Sequence, residues 1–219
     1  MEEIKRLKKY GSLILAIFLV FSLVGCSSGN NNQDGVKEVG NSEEYTNTAV
    51  ETELFAGTFI VGEDVVAGRY DVTTEGGTGN FVVYEGQMPV VNEVLTNDTD
   101  NTLGIGVTKI QIDLKDEQSI EIAGLNAVIL KPSVIELKTT LGAGNYLVGR
   151  DVPEGTYIAT APKGIGNFVV YKGQMPAVNE VLGKDDMGTN IGVEKVRISV
   201  KKGQMIVIGG LEIVELTPQ

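Results

Sequence analysis

The sequence predicts an all-β fold built twice: two small antiparallel β-sandwich repeats, jelly-roll-like in detail, following a signal peptide and a flexible tether. Three observations carry this. FVVYEGQMPVVNEVL (Phe81 to Leu95) returns 87 positions later as FVVYKGQMPAVNEVL (Phe168 to Leu182). Around it, short Val/Ile/Tyr-rich runs alternate with Gly, Asp and Asn clusters, the pattern of short strands and turns. After residue 26, no stretch of ten or more residues keeps a helical period. One intertwined sandwich made from both copies is the alternative architecture.

Residues 1–25 have the layout of a secretory signal. Lys5, Arg6, Lys8 and Lys9 precede SLILAIFLVFSLV (Ser12 to Val24). That apolar run is shorter than the roughly 20 residues a spanning helix needs but suits a signal-peptide core. Leu23-Val24-Gly25-Cys26 closes it, and Cys26 is the chain's single cysteine. The tetrad resembles the lipobox of bacterial lipoproteins. The resemblance implies a diacylglycerol on the Cys26 sulfur, cleavage before Cys26, and anchoring at the extracytoplasmic face of the membrane. Two or more acyl chains give stable anchoring. A lipidated Cys26 leaves no thiol for a disulfide or a nucleophile.

Residues 26–47 form the lipidated cysteine and a linker rich in Ser, Asn, Gly and Glu. Too little apolar area is available there to offset chain entropy. Some 20 residues of such a tether span about 25 Å.

Residues 48–132 and 133–219 are the two repeats. GTFIVGEDVVAGRYDVT (Gly57 to Thr73) matches GNYLVGRDVPEGTYIAT (Gly144 to Thr160), and after one lost residue an offset of 86 runs from Ile105/Ile191 to Pro132/Pro218. In the second copy NYLVG, GTYIAT, NFVVY, VRISV, MIVIGG and LEIVEL read as strands. KVRISVKKGQMIVIGG reads as a hairpin, with Glu117 standing in the first copy where Gly203 stands in the second. MPVVNEVL fits a strand or one face of a short helix, and the strand is preferred. Gly62-x-Asp64 and Gly149-x-Asp151 suggest Asx-type turns. Gly86 suits a positive-φ turn position, and Pro89 an edge or bulge.

GNYLVGRDVPEGTY resembles the opening G-x-Y-x-V-G-x-D-I-P-A-G-x-Y of an uncharacterised repeat in secreted and lipid-anchored proteins of Gram-positive bacteria. Gly144, Tyr146, Gly149, Asp151, Pro153, Gly155 and Tyr157 carry the likeness. The first copy departs at Phe59 and at Val66. The resemblance implies a β fold and a surface location, and no activity.

Composition narrows the function. Without residues 1–25 the chain keeps 14 basic and 27 acidic residues, a net charge of −13. That surface repels nucleic acid. The chain has no histidine, which removes the usual general base and the commonest metal ligand. No GxSxG is present. NDTDNTLG, from Asn97, groups Asp98, Asp100 and Asn101, but Thr102, Leu103 and Lys109 break the EF-hand spacing. The second copy has Asp185 and Asp186 in a loop of different length. Gly76-Gly77-Thr78-Gly79 leads into a strand, whereas a phosphate loop needs a helix. No cofactor and no metal are expected. The matched acids Glu93/Glu180 and Asp64/Asp151 leave a carboxylate-dependent glycan hydrolase as a weak alternative.

Identity between the copies is uneven: 9 of 22 positions from Gly57 to Thr78, 15 of 17 from Gly79 to Leu95, 14 of 29 from Gly104 to Pro132. Within the middle block Phe81, Val82, Val83 and Gly86 need only packing and a turn. Gln87, Asn92 and Glu93, matched by Gln174, Asn179 and Glu180, have two readings. They brace the backbone of a bulge, or they join Tyr84 and Tyr171 in a recognition patch. The expectation is a non-catalytic lipid-anchored module binding or displaying an envelope ligand such as wall polysaccharide or a surface protein. A spacer with no ligand is the other reading. Binding requires Tyr84, Asn92 and Glu93 together on an exposed face.

Overall fold

The computed structural model describes residues 45–99, 104–183 and 191–219. The signal segment, Cys26 and most of the linker lie outside the described residues. So do the acidic loop residues 100–103 and 184–190.

The described residues are all β. Repeat 1 supplies β1 (Thr52–Leu54), β2 (Gly57–Ile60), β3 (Gly68–Thr74), β4 (Gly77–Glu85), β5 (Met88–Thr96), β6 (Lys109–Leu114), β7 (Ser119–Leu125) and β8 (Val128–Pro132). Repeat 2 supplies β9 (Thr140–Leu141), β10 (Ala143–Leu147), β11 (Gly155–Thr160), β12 (Ile165–Lys172), β13 (Met175–Gly183), β14 (Lys195–Val200), β15 (Met205–Gly209) and β16 (Val214–Pro218). MPVVNEVL is a strand, within β5.

Three sheets result. Two have four strands, ordered β2-β7-β4-β5 and β14-β11-β16-β9. The third has eight, ordered β1-β8-β3-β6-β10-β15-β12-β13. Its halves come from different repeats. They meet where β6 runs parallel to β10, with Ile110 beside Ala143 and Gln111 beside Gly144. The pairing covers two strand edges that would otherwise present open backbone groups.

Each repeat keeps its own core. In repeat 1, Tyr70, Val72, Ile110, Ile112 and Leu130 from the eight-stranded sheet pack with Phe81, Val83, Leu95, Ile120 and Ile122 from the first four-stranded sheet. Tyr146, Phe168, Val170, Ile206 and Ile208 pack with Tyr157, Ile198, Val214 and Leu216 in repeat 2. Burying each such side chain stabilises by about 1.5–3 kcal/mol. Ala143 belongs to repeat 2 by sequence but packs in the first core.

KVRISVKKGQMIVIGG is not a hairpin. β14 pairs with β11, whereas β15 pairs with β10 and β12 in the other sheet. The Lys201–Gln204 turn carries the chain from one sheet to the other. Alternating apolar residues mark a half-buried strand but do not say which strand lies beside it.

The Gly62-x-Asp64 and Gly149-x-Asp151 segments do turn, but not as Asx turns, in which the carboxylate accepts from the amide two residues on; here it reaches back four residues. The carboxylate of Asp64 accepts from the Ile60 amide at 2.8 Å, and that of Asp151 from the Leu147 amide at 2.7 Å. Tyr70 and Tyr157 are buried, their hydroxyls donating to the carbonyls of Val66 and Pro153. Gly86 and Gly173 turn at φ 62° and 64°. β5 and β13 are edge strands, and their register slips opposite Tyr84 and Tyr171. Pairing there skips Val90 and Ala177, leaving each as an unpaired bulge residue. That accounts for the one apolar mismatch between the two fifteen-residue blocks.

Candidate functional site

The repeated block forms two equivalent hairpins, β4–β5 and β12–β13. Side chains alternate along each strand, and paired residues share a face. Phe81 and Val83 are buried in the core, so Val82, Tyr84 and Asn92 (the partner of Val82) lie on the opposite face, where Val82 is still buried. Asn92 is exposed and Tyr84 half-buried. Asn179, opposite Val169, and Tyr171 repeat this on repeat 2. Gln87 and Gln174 sit exposed at the hairpin tips. Beside them Met88 and Met175 are 71% and 72% exposed.

Glu93 does not join this face. It pairs with Phe81 and points the other way. Its Oε2 accepts from the Gly210 amide of repeat 2 at 3.1 Å. Burial of the carboxylate pushes its pKa up to about 7, and the Gly210 bond offsets only part of this. Glu180, its counterpart, is exposed. The expected set therefore splits: Tyr84, Asn92 and Gln87 lie on the hairpin's exposed side, while Glu93 closes a contact between repeats. No side-chain hydrogen bond from Gln87, Asn92, Gln174 or Asn179 braces a bulge among the described residues.

The Tyr84 hydroxyl donates to Glu121 at 3.2 Å, and that bond raises the phenol's pKa. Val207 stands at the matching place in repeat 2, so the two outer faces share their Tyr-Asn pair but differ in charge.

A second constellation, not anticipated from sequence, sits at the β6–β10 junction. Arg69 is wholly buried and donates to Asp113 and to the Asn145 carbonyl, both at 3.0 Å, and lies 3.2 Å from Asp151. Its Nε has no partner. Arg150 grips Asp113 through both Nη atoms, at 3.0 and 2.7 Å, and Asp151 at 2.7 Å. Burial alone would lower the Arg150 pKa, but the bonds to Asp151 and Asp113 prevail and raise it. Two arginines and two carboxylates thus compensate one another, as buried charges must. Asp113 also donates its amide to Asn145 Oδ1 at 3.1 Å. Arg69, Asp113 and Arg150 align with Thr156, Ser199 and Glu63. They stand where the copies differ, and an unmatched charge within a matched segment was the available signal.

A cleft of about 190 Å³ opens beside this junction, lined in part by Thr108, Lys109, Gln111, Lys138, Tyr146 and Glu212. Glu212 is the carboxylate in its lining, and its two oxygens accept from the Thr108 amide and hydroxyl at 2.6 and 2.9 Å. Lys138 donates to Gln111 at 2.8 Å, and burial lowers its pKa. A glycosidase needs two facing acids about 5–10 Å apart; this cleft offers one, already bonded. Among the described residues no cluster of three acidic or thiol side chains could hold a metal ion.

No protein-family description matches the chain, and no curated protein does either. Among solved structures, a chain from the atomic structure of Sulfolobus Turreted Icosahedral Virus is 16% identical, covering 84% of this chain and 96% of that one. Its TM-score is 0.20, and no argument rests on it.

Proposed function

We propose that the chain is a lipid-anchored, extracytoplasmic protein without catalytic activity, whose two repeats bind an envelope ligand through equivalent hairpins. In this reading each repeat is a jelly-roll sandwich. The strand order β1-β8-β3-β6 against β2-β7-β4-β5, repeated as β9-β16-β11-β14 against β10-β15-β12-β13, supports it, because a long hairpin rolled into two facing sheets has this order. Lipidation at Cys26 rests on the Leu23-Val24-Gly25-Cys26 motif and the single thiol. The Gram-positive surface follows from the resemblance of GNYLVGRDVPEGTY to the surface repeat.

The observation that carries the binding role is the matched exposure of the two hairpins. Each presents a Gln-Met-Pro tip and an outward Tyr-Asn pair. A methionine more than two-thirds exposed adapts well to an irregular partner surface, and a tyrosine flanked by an amide suits a sugar or peptide backbone. The test is co-sedimentation of the full chain, in detergent, with purified cell-wall polysaccharide. Binding at least tenfold weaker for the Tyr84→Ala/Tyr171→Ala double variant supports the reading. Equal sedimentation of both chains, or none of either, removes wall polysaccharide as the ligand of these hairpins.

The junction favours a second reading, a spacer. A sheet continuous through both repeats, locked by buried charge, holds them at a fixed distance whether or not the hairpins take a ligand.

A further inference from the structure

The junction between the repeats is heterologous: β6 of repeat 1 meets β10 of repeat 2. The counterpart of β6 is β14, and that of β10 is β2. Among the described residues both are edge strands without a neighbour on one side. The two repeats therefore leave open the two unlike halves of the interface they already use once. We propose that a second copy of this chain docks there head to tail, its β2 laid parallel to β14. The sheet so formed would be ordered β9-β16-β11-β14-β2-β7-β4-β5, the same arrangement as the eight-stranded sheet within one chain.

Four positions support the copy as the occupant. The first is Gly144. A Cβ there would collide with the Gln111 carbonyl, so the close approach of β6 and β10 requires glycine. Gly57 keeps both the residue and the conformation, with φ 153° against 136°. Yet a Cβ at Gly57 would meet only the Phe59 ring, at 3.6 Å. Among the described residues nothing crowds that glycine; a strand docked as β6 docks on β10 would.

The second is Ala143, 1% exposed at the junction. Its counterpart Ala56 is exposed, next to Phe55 at 60%. The third is Glu93, which spans the junction to Gly210. Glu180 and Gly124 are the same pair, held apart on opposite ends of the chain and both exposed. This gives the retained glutamate a role that the hairpin face did not. The fourth is Glu212, which caps the Thr108 amide. Asn126 keeps a side-chain oxygen acceptor at that place, facing the position of Glu194.

Charge is complementary across the free edges. β14 exposes Lys195 and Arg197 beside one acid, Glu194, while the β2 end exposes Glu53, Glu63, Asp64 and Glu51, the last 3.9 Å from Lys131. The buried Arg69–Asp113–Arg150–Asp151 cluster is absent from these edges, and no linker raises the local concentration. The contact between copies is accordingly weaker than the one within a chain, and it is reversible. Unlike halves give rings where the rotation closes and open chains where it does not.

The test is sedimentation velocity of the full chain in detergent over a range of concentrations, with two variants that block one edge each. Ala56→Arg obstructs the β2 edge and Arg197→Glu reverses charge on the β14 edge. Both residues are exposed, and unchanged circular dichroism melting checks the fold. If Ala56→Arg melts early, Thr58→Lys replaces it on the same edge. The proposal expects the parent to associate beyond two copies. Either variant alone should associate at least tenfold more weakly. An equimolar mixture of the two should form pairs and stop there, because it keeps one intact edge of each kind. A parent that stays monomeric throughout overturns the proposal. So does association that both variants leave unchanged, or a mixture that fails to pair while the parent assembles.

Discussion

Glu93 Oε2 lies 3.1 Å from the amide nitrogen of Gly210, a bond across 117 residues of chain. A carboxylate held at this seam pays for its desolvation, which raises its pKa from 4.5 to about 7. The folded chain therefore holds a proton there between those values that the unfolded chain has released. Stability from this group is complete below about pH 4.5 and is lost as pH rises through about 7. Glu93→Gln keeps an oxygen acceptor for Gly210 and removes the charge. The variant should match the parent in urea unfolding at pH 4.5 and exceed it by about 2 kcal/mol at pH 8, part of the shift being screened. A difference that does not change with pH would show that Glu93 does not titrate at the seam.

Asp113 faces both arginines of the junction. Asp113→Ala leaves the wholly buried Arg69 with one carboxylate, Asp151, beside the Asn145 carbonyl, and should cost about 2–4 kcal/mol in urea unfolding. Ser199→Ala, at the matching position of repeat 2, should change stability by less than about 0.5 kcal/mol. Similar costs at the two positions would mean that the charge cluster does not hold the junction.

Gly144 and Gly57 separate crowding from backbone strain. Both sit at positive φ, so alanine is strained at either, by about 1–3 kcal/mol. Only at Gly144 does the new methyl also meet the Gln111 carbonyl. Gly144→Ala should cost at least about 2 kcal/mol more than Gly57→Ala when the monomers are compared at low concentration. Calorimetry of Gly144→Ala should also show one transition splitting towards two, as the cores of the repeats come apart.

Glu117 is the non-glycine residue with positive φ among the described residues, at 70°. Gly203 fills the same turn in repeat 2 at 85°, and both donate their amides to a valine carbonyl at 3.0 Å. Glu117→Gly should therefore stabilise by about 0.5–1 kcal/mol in urea unfolding, the relief of strain exceeding the added chain entropy. Destabilisation would mean that the Glu117 side chain does more than tolerate the turn.

The strands and tight turns were legible because they depend on neighbours in sequence. Gly86 before a polar tip, Asp64 after Gly62, and the alternation through Phe81 and Val83 each reflect local backbone chemistry. The crossing between sheets at Lys201–Gln204 was not legible, since alternation fixes a strand's inward face but not its neighbours. The candidate patch was half legible. Tyr84 and Asn92 share the outer face, yet one residue further along the pleat turns Glu93 away. The junction was the least visible. Arg69, Asp113 and Arg150 act only once β6 and β10 meet, and identity between copies draws attention away from the places where they differ.

We propose that these repeats are displayed at a membrane surface through Cys26. The direct measurement is the intact mass of the chain recovered from the membrane fraction of a bacterial host, compared with Cys26→Ala. The expected product is a chain beginning at Cys26 and carrying a diacylglycerol, with Cys26→Ala losing the lipid mass and leaving the membrane fraction. A Cys26→Ala chain that stays with the membrane, or a parent recovered in the soluble fraction without added lipid mass, would contradict it.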